Sequence, residues 1–213
     1  MSITRSAVRN VTRSTIRDVV RGGYAPAGRY YTNFIASRSS YAEFDTEISV
    51  STAYKIKIDV QFKSGISREL YVLGKIAGRS HEITIKDSGQ IEIKPQFERV
   101  TTTETITRDD IIHELEIELD GNDFIFRIDG VLFDTVTNIT ASQQLFTFSA
   151  IATRNLDDFF DGYLANLHVE ENSVVVASLA MDEPFEVADF ANSVDPSNPA
   201  TKVNVLADQV VFI

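Results

Sequence analysis

Residues 113–135 constrain the fold more than any other part of this sequence. The first segment alternates apolar and acidic positions in the order Glu114, Leu115, Glu116, Ile117, Glu118 and Leu119. After turn-forming residues at 120–123, apolar residues recur at Phe124, Phe126 and Ile128. Because successive side chains of a strand point to opposite faces, both segments predict strands with one buried face. Two such strands must bury that face against a second sheet, so the stretch predicts an all-β sandwich.

The rest of the chain from residue 30 onward shows further short segments of the same kind. We predict strands at 42–50, 53–62, 68–76, 81–86, 90–93, 101–106, 145–151, 162–169, 174–179 and 203–213. We expect no long helix, and at most a turn or two at 182–191, where Pro184 lies near the start. Many short strands at near-regular spacing indicate an antiparallel two-sheet sandwich.

The composition excludes several classes of site. The chain of 213 residues contains no Cys and no Trp, so disulfides, zinc–thiolate sites and cysteine nucleophiles are absent. Its hydrophobic content of 43% is enough to fill a core. We expect no membrane span, because no apolar run approaches about 20 residues, and the first residues lack the apolar centre of a secretion signal.

The charge is distributed unevenly along the chain. The total is −11, but residues 1–29 contain six Arg and one Asp and so carry +5, which leaves −16 for the remainder. Five of these arginines recur every four residues, each after a β-branched residue: Arg5, Arg9, Arg13, Arg17 and Arg21. We interpret residues 1–23 as an arm that anchors the chain to an acidic partner, either sister subunits or another protein of an assembly.

Two other interpretations of this arm are weaker. In the first interpretation, the arm is a solvated basic tail. In the second, the arm binds nucleic acid by neutralising phosphates. Lysine and interleaved aromatic residues are absent from residues 1–23, and the acidic body would repel phosphate, so we expect no nucleic-acid partner. The pattern therefore divides the chain into an anchoring arm and Gly/Pro hinge at 1–29, a sandwich at 30–182 and a C-terminal extension at 183–213.

The last four residues of the chain are apolar and would promote aggregation if they were exposed. They either close the sandwich of their own subunit or pack across subunits. Together with the basic arm and the acidic body, they lead us to expect a homo-oligomer.

Two motifs resemble a known family. The segment HELEIELDGNDFIFRIDG is similar to the strand–turn–strand pair of laminin-G-like, concanavalin-A-like jelly rolls, and FFDGYLANLHVEE resembles a late segment of that fold. The arginine-rich leader and the segment VVVASLAMDEPFEVADFANS look like parts of tailed-bacteriophage virion proteins. The resemblance implies a jelly-roll sandwich with an extended N-terminal arm.

The resemblance also implies a function. We expect a non-enzymatic phage structural protein, made in the host cytoplasm and located on the virion as a tail fibre or capsid decoration. The alternative is a lectin-like module that binds a host-surface glycan, with or without calcium. Both remain open, since jelly rolls of this kind also include hydrolases.

The acidic residues supply few candidates for chemistry. Glycan hydrolysis requires two carboxylates facing each other across a cleft, whereas Glu114, Glu116 and Glu118 share one face of one strand, where Lys or Arg of neighbouring strands can pair with them. Since a Trp platform is also absent, we predict that the protein is not an enzyme.

A metal site has one candidate. We expect no cofactor, but calcium prefers clustered hard oxygens, and Asp157, Asp158 and Asp161 lie together in a loop beside Asn155. Acidic turns are usually only solvated, as we expect for the turn at 120–123. The histidines show no metal-ligand spacing, and we expect His113 to pack at the edge of the core.

Overall fold

The strands predicted at 113–135 are present in a computed structural model, which describes residues 30–77, 80–96, 98–140, 144–181, 187 and 189–212. Within these residues the strands are β1 (Tyr30–Phe34), β2 (Tyr41–Val50), β3 (Tyr54–Gln61), β4 (Leu70–Gly74), β5 (Glu82–Ile85), β6 (Ile91–Lys94), β7 (Val100–Thr101), β8 (Ile112–Asp120), β9 (Asp123–Ile128), β10 (Val131–Val136), β11 (Phe146–Ile151), β12 (Thr153–Arg154), β13 (Asp158–Phe159), β14 (Gly162–Glu171), β15 (Val174–Leu179), β16 (Asp189–Phe190), β17 (Ala200–Val203) and β18 (Val210–Phe212). Short 3-10 helices lie at Ala36–Arg38 and Ala207–Gln209.

These strands form two large antiparallel sheets that pack face to face. Sheet A has the order β10-β9-β8-β3-β14-β1-β18, and β15 also pairs with β14. Sheet B has the order β16-β17-β2-β11-β4-β5-β6-β7, and β12 pairs with β13 in a separate small hairpin. The predicted antiparallel two-sheet sandwich is therefore confirmed.

The register of sheet A shows why the alternation at 113–135 determines its buried face. Ile117 lies opposite Phe126 across β8 and β9, and Ile56 of β3 lies opposite Ile117 on the other side. All three side chains are buried in the core between the sheets. One row of apolar side chains thus crosses three neighbouring strands, as a period of two requires.

Several predicted strands are shorter than expected, and two of them differ most. The strand predicted at 101–106 ends at Thr101, because the Thr102 hydroxyl donates to Glu104 O and accepts from Ile91 N, which turns the chain. Of the strand predicted at 203–213, only Val203 belongs to β17 and Val210–Phe212 form β18, and a 3-10 helix lies between them. The interruption carries the chain from sheet B to sheet A, so β18 pairs with β1 and closes its own subunit's sheet.

The C-terminal extension predicted at 183–213 takes part in both sheets. Segments after residue 182 contribute β16 and β17 to sheet B and β18 to sheet A. The predicted anchoring arginines, Arg5, Arg9, Arg13, Arg17 and Arg21, lie outside the described residues. Among the residues that are described, no helix has the length and apolar character needed to cross a membrane.

The three glutamates of β8 face outward and form ion pairs, as the sequence predicted. Glu116 receives Lys57 at 2.8 Å and Arg127 at 2.5 Å, and Arg127 also reaches Glu118 at 2.5 Å. Lys57 and Arg127 stand opposite Glu116 in register on the two neighbouring strands. The charges therefore neutralise one another along the outer face of sheet A.

Acid is expected to remove part of the stability through Glu116. Burial disfavours its ionised form, but hydrogen bonds from Lys57 and Arg127 outweigh burial and hold the pKa of Glu116 below its ordinary 4.5. A carboxyl whose pKa is lower in the folded state stabilises the fold fully above about pH 4.5 and loses that contribution as the pH falls through the folded pKa. Between about pH 6 and about pH 3, the melting temperature of Glu116→Gln should fall less than that of the wild type, measured by circular dichroism. An equal or larger fall in the variant would contradict this assignment.

Candidate functional site

The hairpin of β12 and β13 folds over the outer face of sheet B in a strained conformation. Ala152, Asn155 and Leu156 have φ values of 67°, 53° and 55°. Positive φ is tolerated by Asn but is costly for Ala and Leu, and such strain concentrates at ligand sites and catalytic sites. The hairpin lies close to β4, since a Cβ added at Gly74 would approach Thr153 O to 2.5 Å.

Arg154 fixes this hairpin to the sheet. Its guanidinium donates to Glu82 Oε2 at 2.8 Å and to Asp158 Oδ2 at 2.5 Å, and its Cζ lies 4.2 Å from the centre of the Tyr71 ring. Burial disfavours the charge of Arg154, but the hydrogen bonds to Asp158 and Glu82 outweigh burial and raise its pKa. Glu82 is only 1% exposed, so this is a buried ion pair that joins the hairpin to β5.

A second set of charges lies beside Arg154. Glu69 forms an ion pair with Lys86 and accepts a hydrogen bond from the Tyr71 hydroxyl. Burial opposes the ionisation of Glu69, but the bonds from Lys86 and Tyr71 outweigh burial and lower its pKa below 4.5. Burial, followed by the bond to Glu69, raises the pKa of Tyr71 above 10. At neutral pH the carboxylate is therefore charged and the phenol is neutral.

The hairpin and these charged groups enclose a cavity of about 550 Å³, which we call the hairpin cleft. Its lining consists of Ala36, Ser39, Arg68, Glu69, Tyr71, Asp87, Asp157, Asp158 and Phe159. The Phe159 ring is partly exposed and packs against Tyr41, with ring centres 6.2 Å apart. The cleft thus combines a partly exposed aromatic ring with four carboxylates and one guanidinium, within the volume range of roughly 300–1,000 Å³ that is usual for small-molecule sites.

The three residues predicted to bind calcium have different contacts. Asp157 and Asp158 line the hairpin cleft, and Asp161 receives Lys63 at 3.1 Å and Arg68 at 3.2 Å. Within the described part of the chain, no group of three or more His, Cys, Asp or Glu side chains is placed to hold a metal ion. Calcium binding at these residues stays a prediction without geometric support.

Comparisons with known proteins support the fold. No family model matches the sequence, and no curated protein matches it. A Bacteroides ovatus protein, named for a proposed carbohydrate-binding role, superposes with a TM-score of 0.61 at 10% identity. The match covers 88% of this chain but only 60% of that protein. The galectin LEC-6 of Caenorhabditis elegans matches at 14% identity over 64% of this chain and 99% of its own, and its TM-score of 0.38 is too low to carry an argument.

At 10% identity, the match to the Bacteroides ovatus protein supports the β-sandwich fold and nothing finer. That fold is consistent with the jelly-roll sandwich that the two motifs indicated. The description of the Bacteroides ovatus protein names no phage, so the virion role has no support from this source.

A second polar cavity lies on the outer face of sheet A. This bulge cleft has a volume of about 440 Å³, and its lining includes Lys57, Asp59, Glu114, Asn166 and His168. Strand β14 has an irregular register between Ala165 and His168, and Asn166 adopts a φ of 51° within it. The irregularity brings the Asn166 amide within 2.5 Å of the buried Asp59 carboxylate. Bulges of this kind redirect a side chain beside a site.

Sequence reasoning missed Tyr71, Arg154 and Asn166. Tyr71 lies in a segment where alternation predicts a strand, and Arg154 lies between the strand predicted at 145–151 and the acidic loop that begins at Asn155. Asn166 interrupts the alternation of β14, and that interruption was the one local signal of a bulge. The residues of the hairpin cleft come from loops and strands far apart in the chain, so no local motif contains them.

Proposed function

We propose that this protein is a glycan-binding module and that the hairpin cleft is its sugar site. The observation that carries the proposal is the partly exposed Phe159 ring beside ionised groups held in fixed positions. A sugar ring has an apolar C–H face and a rim of hydroxyls. The C–H face packs against an aromatic ring, and the hydroxyls exchange hydrogen bonds with carboxylates and guanidinium groups.

The fixed positions of these groups favour binding. Arg154 holds Asp158, Lys86 and Tyr71 hold Glu69, and Asn155 Nδ2 donates to Asp157 Oδ2 at 3.0 Å. Groups that are already ordered lose little entropy when a ligand binds.

The electrostatics of Glu69 make this residue unsuitable as the acid of a glycosidase. A glycosidase requires one carboxyl with a raised pKa to serve as general acid. Glu69 has a lowered pKa, because the hydrogen bonds from Lys86 and Tyr71 outweigh its burial. The prediction that the protein is not an enzyme therefore forms part of the proposal.

The charge of the cleft also limits the ligand. Its lining holds four carboxylates and one arginine, and that arginine, Arg68, already pairs with Asp161. The net negative charge of this lining would repel acidic sugars, so we expect neutral glycans to bind in preference to sialylated or uronic-acid glycans. The bulge cleft is the weaker candidate, because no phenyl or phenol ring is among its described lining residues.

A glycan array followed by titration calorimetry tests the proposal. We expect the wild type to bind neutral glycans. Phe159→Leu should weaken binding by about 2–10-fold through loss of ring stacking. Asp157→Asn should weaken it about tenfold or more, because it removes a charged acceptor.

Two matched controls locate the site. Asp195→Asn changes a similar acidic turn outside the cleft, where Asp195 accepts from Ser197, and binding should be unchanged. Asn166→Gly removes the amide of the bulge cleft while keeping its positive φ, and it should also leave binding unchanged. Binding lost only in Asn166→Gly would move the site to sheet A. An array without any binder at high protein concentration would refute the proposed function.

Attachment to a virion through residues 1–29 remains a separate prediction of the sequence. It is compatible with glycan binding, because a module anchored to a particle can still present its cleft to a host surface. Virion location rests on this leader, which lies outside the described residues, and homo-oligomer formation rests on the leader together with the acidic body and the apolar C-terminal residues.

A further inference from the structure

A third cavity lies at one end of the sandwich, apart from both polar clefts. This end pocket of about 350 Å³ lies between the β9–β10 hairpin and residues 105–109. Its walls are mainly apolar and include Phe62, Ile106, Ile128 and Phe133. Val131 and Leu132 also line it and are 71% and 61% exposed. Exposed apolar side chains grouped at the mouth of a cavity mark a binding surface more often than scattered ones do.

One corner of the end pocket is polar and rigid. The His113 ring stacks on Phe62, with ring centres 4.7 Å apart and planes inclined by 22°. Its Nδ1 lies 2.7 Å from Asp129 Oδ2, and Asp129 Oδ1 accepts from Glu114 N at 3.0 Å. These contacts fix the imidazole, and they confirm the expectation that His113 packs at the edge of the core.

Asp109 is held more loosely than Asp129. His113 Nε2 is 3.4 Å from both Asp109 oxygens, longer than the roughly 2.7–3.2 Å of a good N–H···O bond. Asp109 Oδ1 also accepts from Ile111 N at 3.0 Å, and its side chain is 33% exposed. A carboxylate in this position can accept a further hydrogen bond from a ligand.

The neighbouring cation does not neutralise Asp109. Arg108 turns away and donates to the backbone carbonyls of Ile66 at 2.7 Å and Arg68 at 3.1 Å. No Lys or Arg side chain is among the described residues that line the end pocket. With two carboxylates and one imidazole, this corner is net negative whether His113 is neutral or protonated.

We propose that the end pocket binds a small organic amine, with its ammonium group at Asp109 and its apolar body against Phe133, Val131 and Leu132. An apolar pocket alone would accept any small hydrophobic molecule. Asp109, which no Lys or Arg of the described lining neutralises, adds selection by charge. An ammonium group next to apolar surface is stable only when an anion pairs with it. This site is independent of the glycan proposal in both position and ligand chemistry.

Three probes of similar size test the charge selection on the full-length ¹⁵N-labelled protein. We expect benzylamine to shift the amide resonances of residues 105–113 and 131–133, and to bind at least about threefold more tightly than benzyl alcohol. Phenylacetate should bind most weakly, since its carboxylate faces Asp109. Equal affinities for the three probes, or shifts confined to other regions, would overturn the proposal.

Variants separate the charge from the apolar wall. Asp109→Asn keeps an acceptor for Ile111 N, and it should reduce benzylamine affinity to that of benzyl alcohol. Leu132→Ser, at an exposed position, should weaken the binding of both benzylamine and benzyl alcohol. Asp120→Asn, at the end of β8 and outside this pocket, should change the affinity for neither probe. If Asp109→Asn leaves the preference for benzylamine intact, Asp109 is not the ammonium site and the proposal fails.

Discussion

Replacing Arg154 with alanine is expected to lower the free energy of unfolding by about 3–5 kcal/mol. The reason is Glu82, which is 1% exposed and would lose a partner 2.8 Å away while staying buried. Lys94, at 3.9 Å, is too distant to replace a hydrogen-bonded guanidinium. Asp158 would also lose its bond, so we expect the hairpin to detach from sheet B and the proposed glycan binding to weaken. Urea unfolding followed by circular dichroism measures the free energy of unfolding, and titration calorimetry measures the affinity for the glycan.

A matched arginine provides the control for this prediction. Arg38 donates to both oxygens of Asp208 but lies at the surface, and Arg38→Ala should cause no measurable change in stability. The double variant Glu82→Gln/Arg154→Met removes both buried charges, so it should recover much of the stability lost in Arg154→Ala while binding stays weak. Similar effects of Arg154→Ala and Arg38→Ala would show that the buried pair has no special role.

Replacing Phe126 with alanine is expected to cost about 3–5 kcal/mol of unfolding free energy. The side chain is fully buried, lies opposite Ile117 in register and packs near Phe124, with ring centres 6.4 Å apart. Its removal leaves a cavity between the two sheets that the rigid strands cannot close. Urea unfolding measures the loss, and an unchanged m-value would show that the unfolded state is unaffected.

The neighbouring residue tests the assignment of faces. Ile125 lies one position earlier on β9 and is paired with Glu118 on the outer face of sheet A. Ile125→Ala removes a smaller, aliphatic group outside the core, and we expect a loss below about 1.5 kcal/mol. Equal losses in Phe126→Ala and Ile125→Ala would contradict the buried face that the alternation predicts.

Alternation predicted strands well where one face is buried and the other is solvated. Strand β3 was expected at 53–62 and lies at Tyr54–Gln61, and β8 and β9 also lie within about one residue of expectation. Alternation did not predict β12 and β13, because each has only two residues and so shows no repeating apolar pattern. Their conformation depends on Arg154, whose partner Glu82 lies 72 residues earlier in the chain.

Calcium binding stays a prediction, and its residues show the same dependence on distant partners. Two of the three aspartates expected to bind calcium do line a cleft, because they stand in the hairpin that covers sheet B. The third receives Lys63 and Arg68, which lie 98 and 93 residues away in the chain. Partners at such a separation leave no local pattern in the sequence.

The sequence by itself determined the two-sheet architecture, the buried face of its clearest strands and the absence of any cysteine chemistry. These properties depend on neighbouring residues, because a period of two is enough to sort side chains between core and water. Only the tertiary structure decided which charges meet and where cavities open. Those contacts join residues tens of positions apart, and their geometry depends on how loops and bulges cross the sheets, which alternation does not encode.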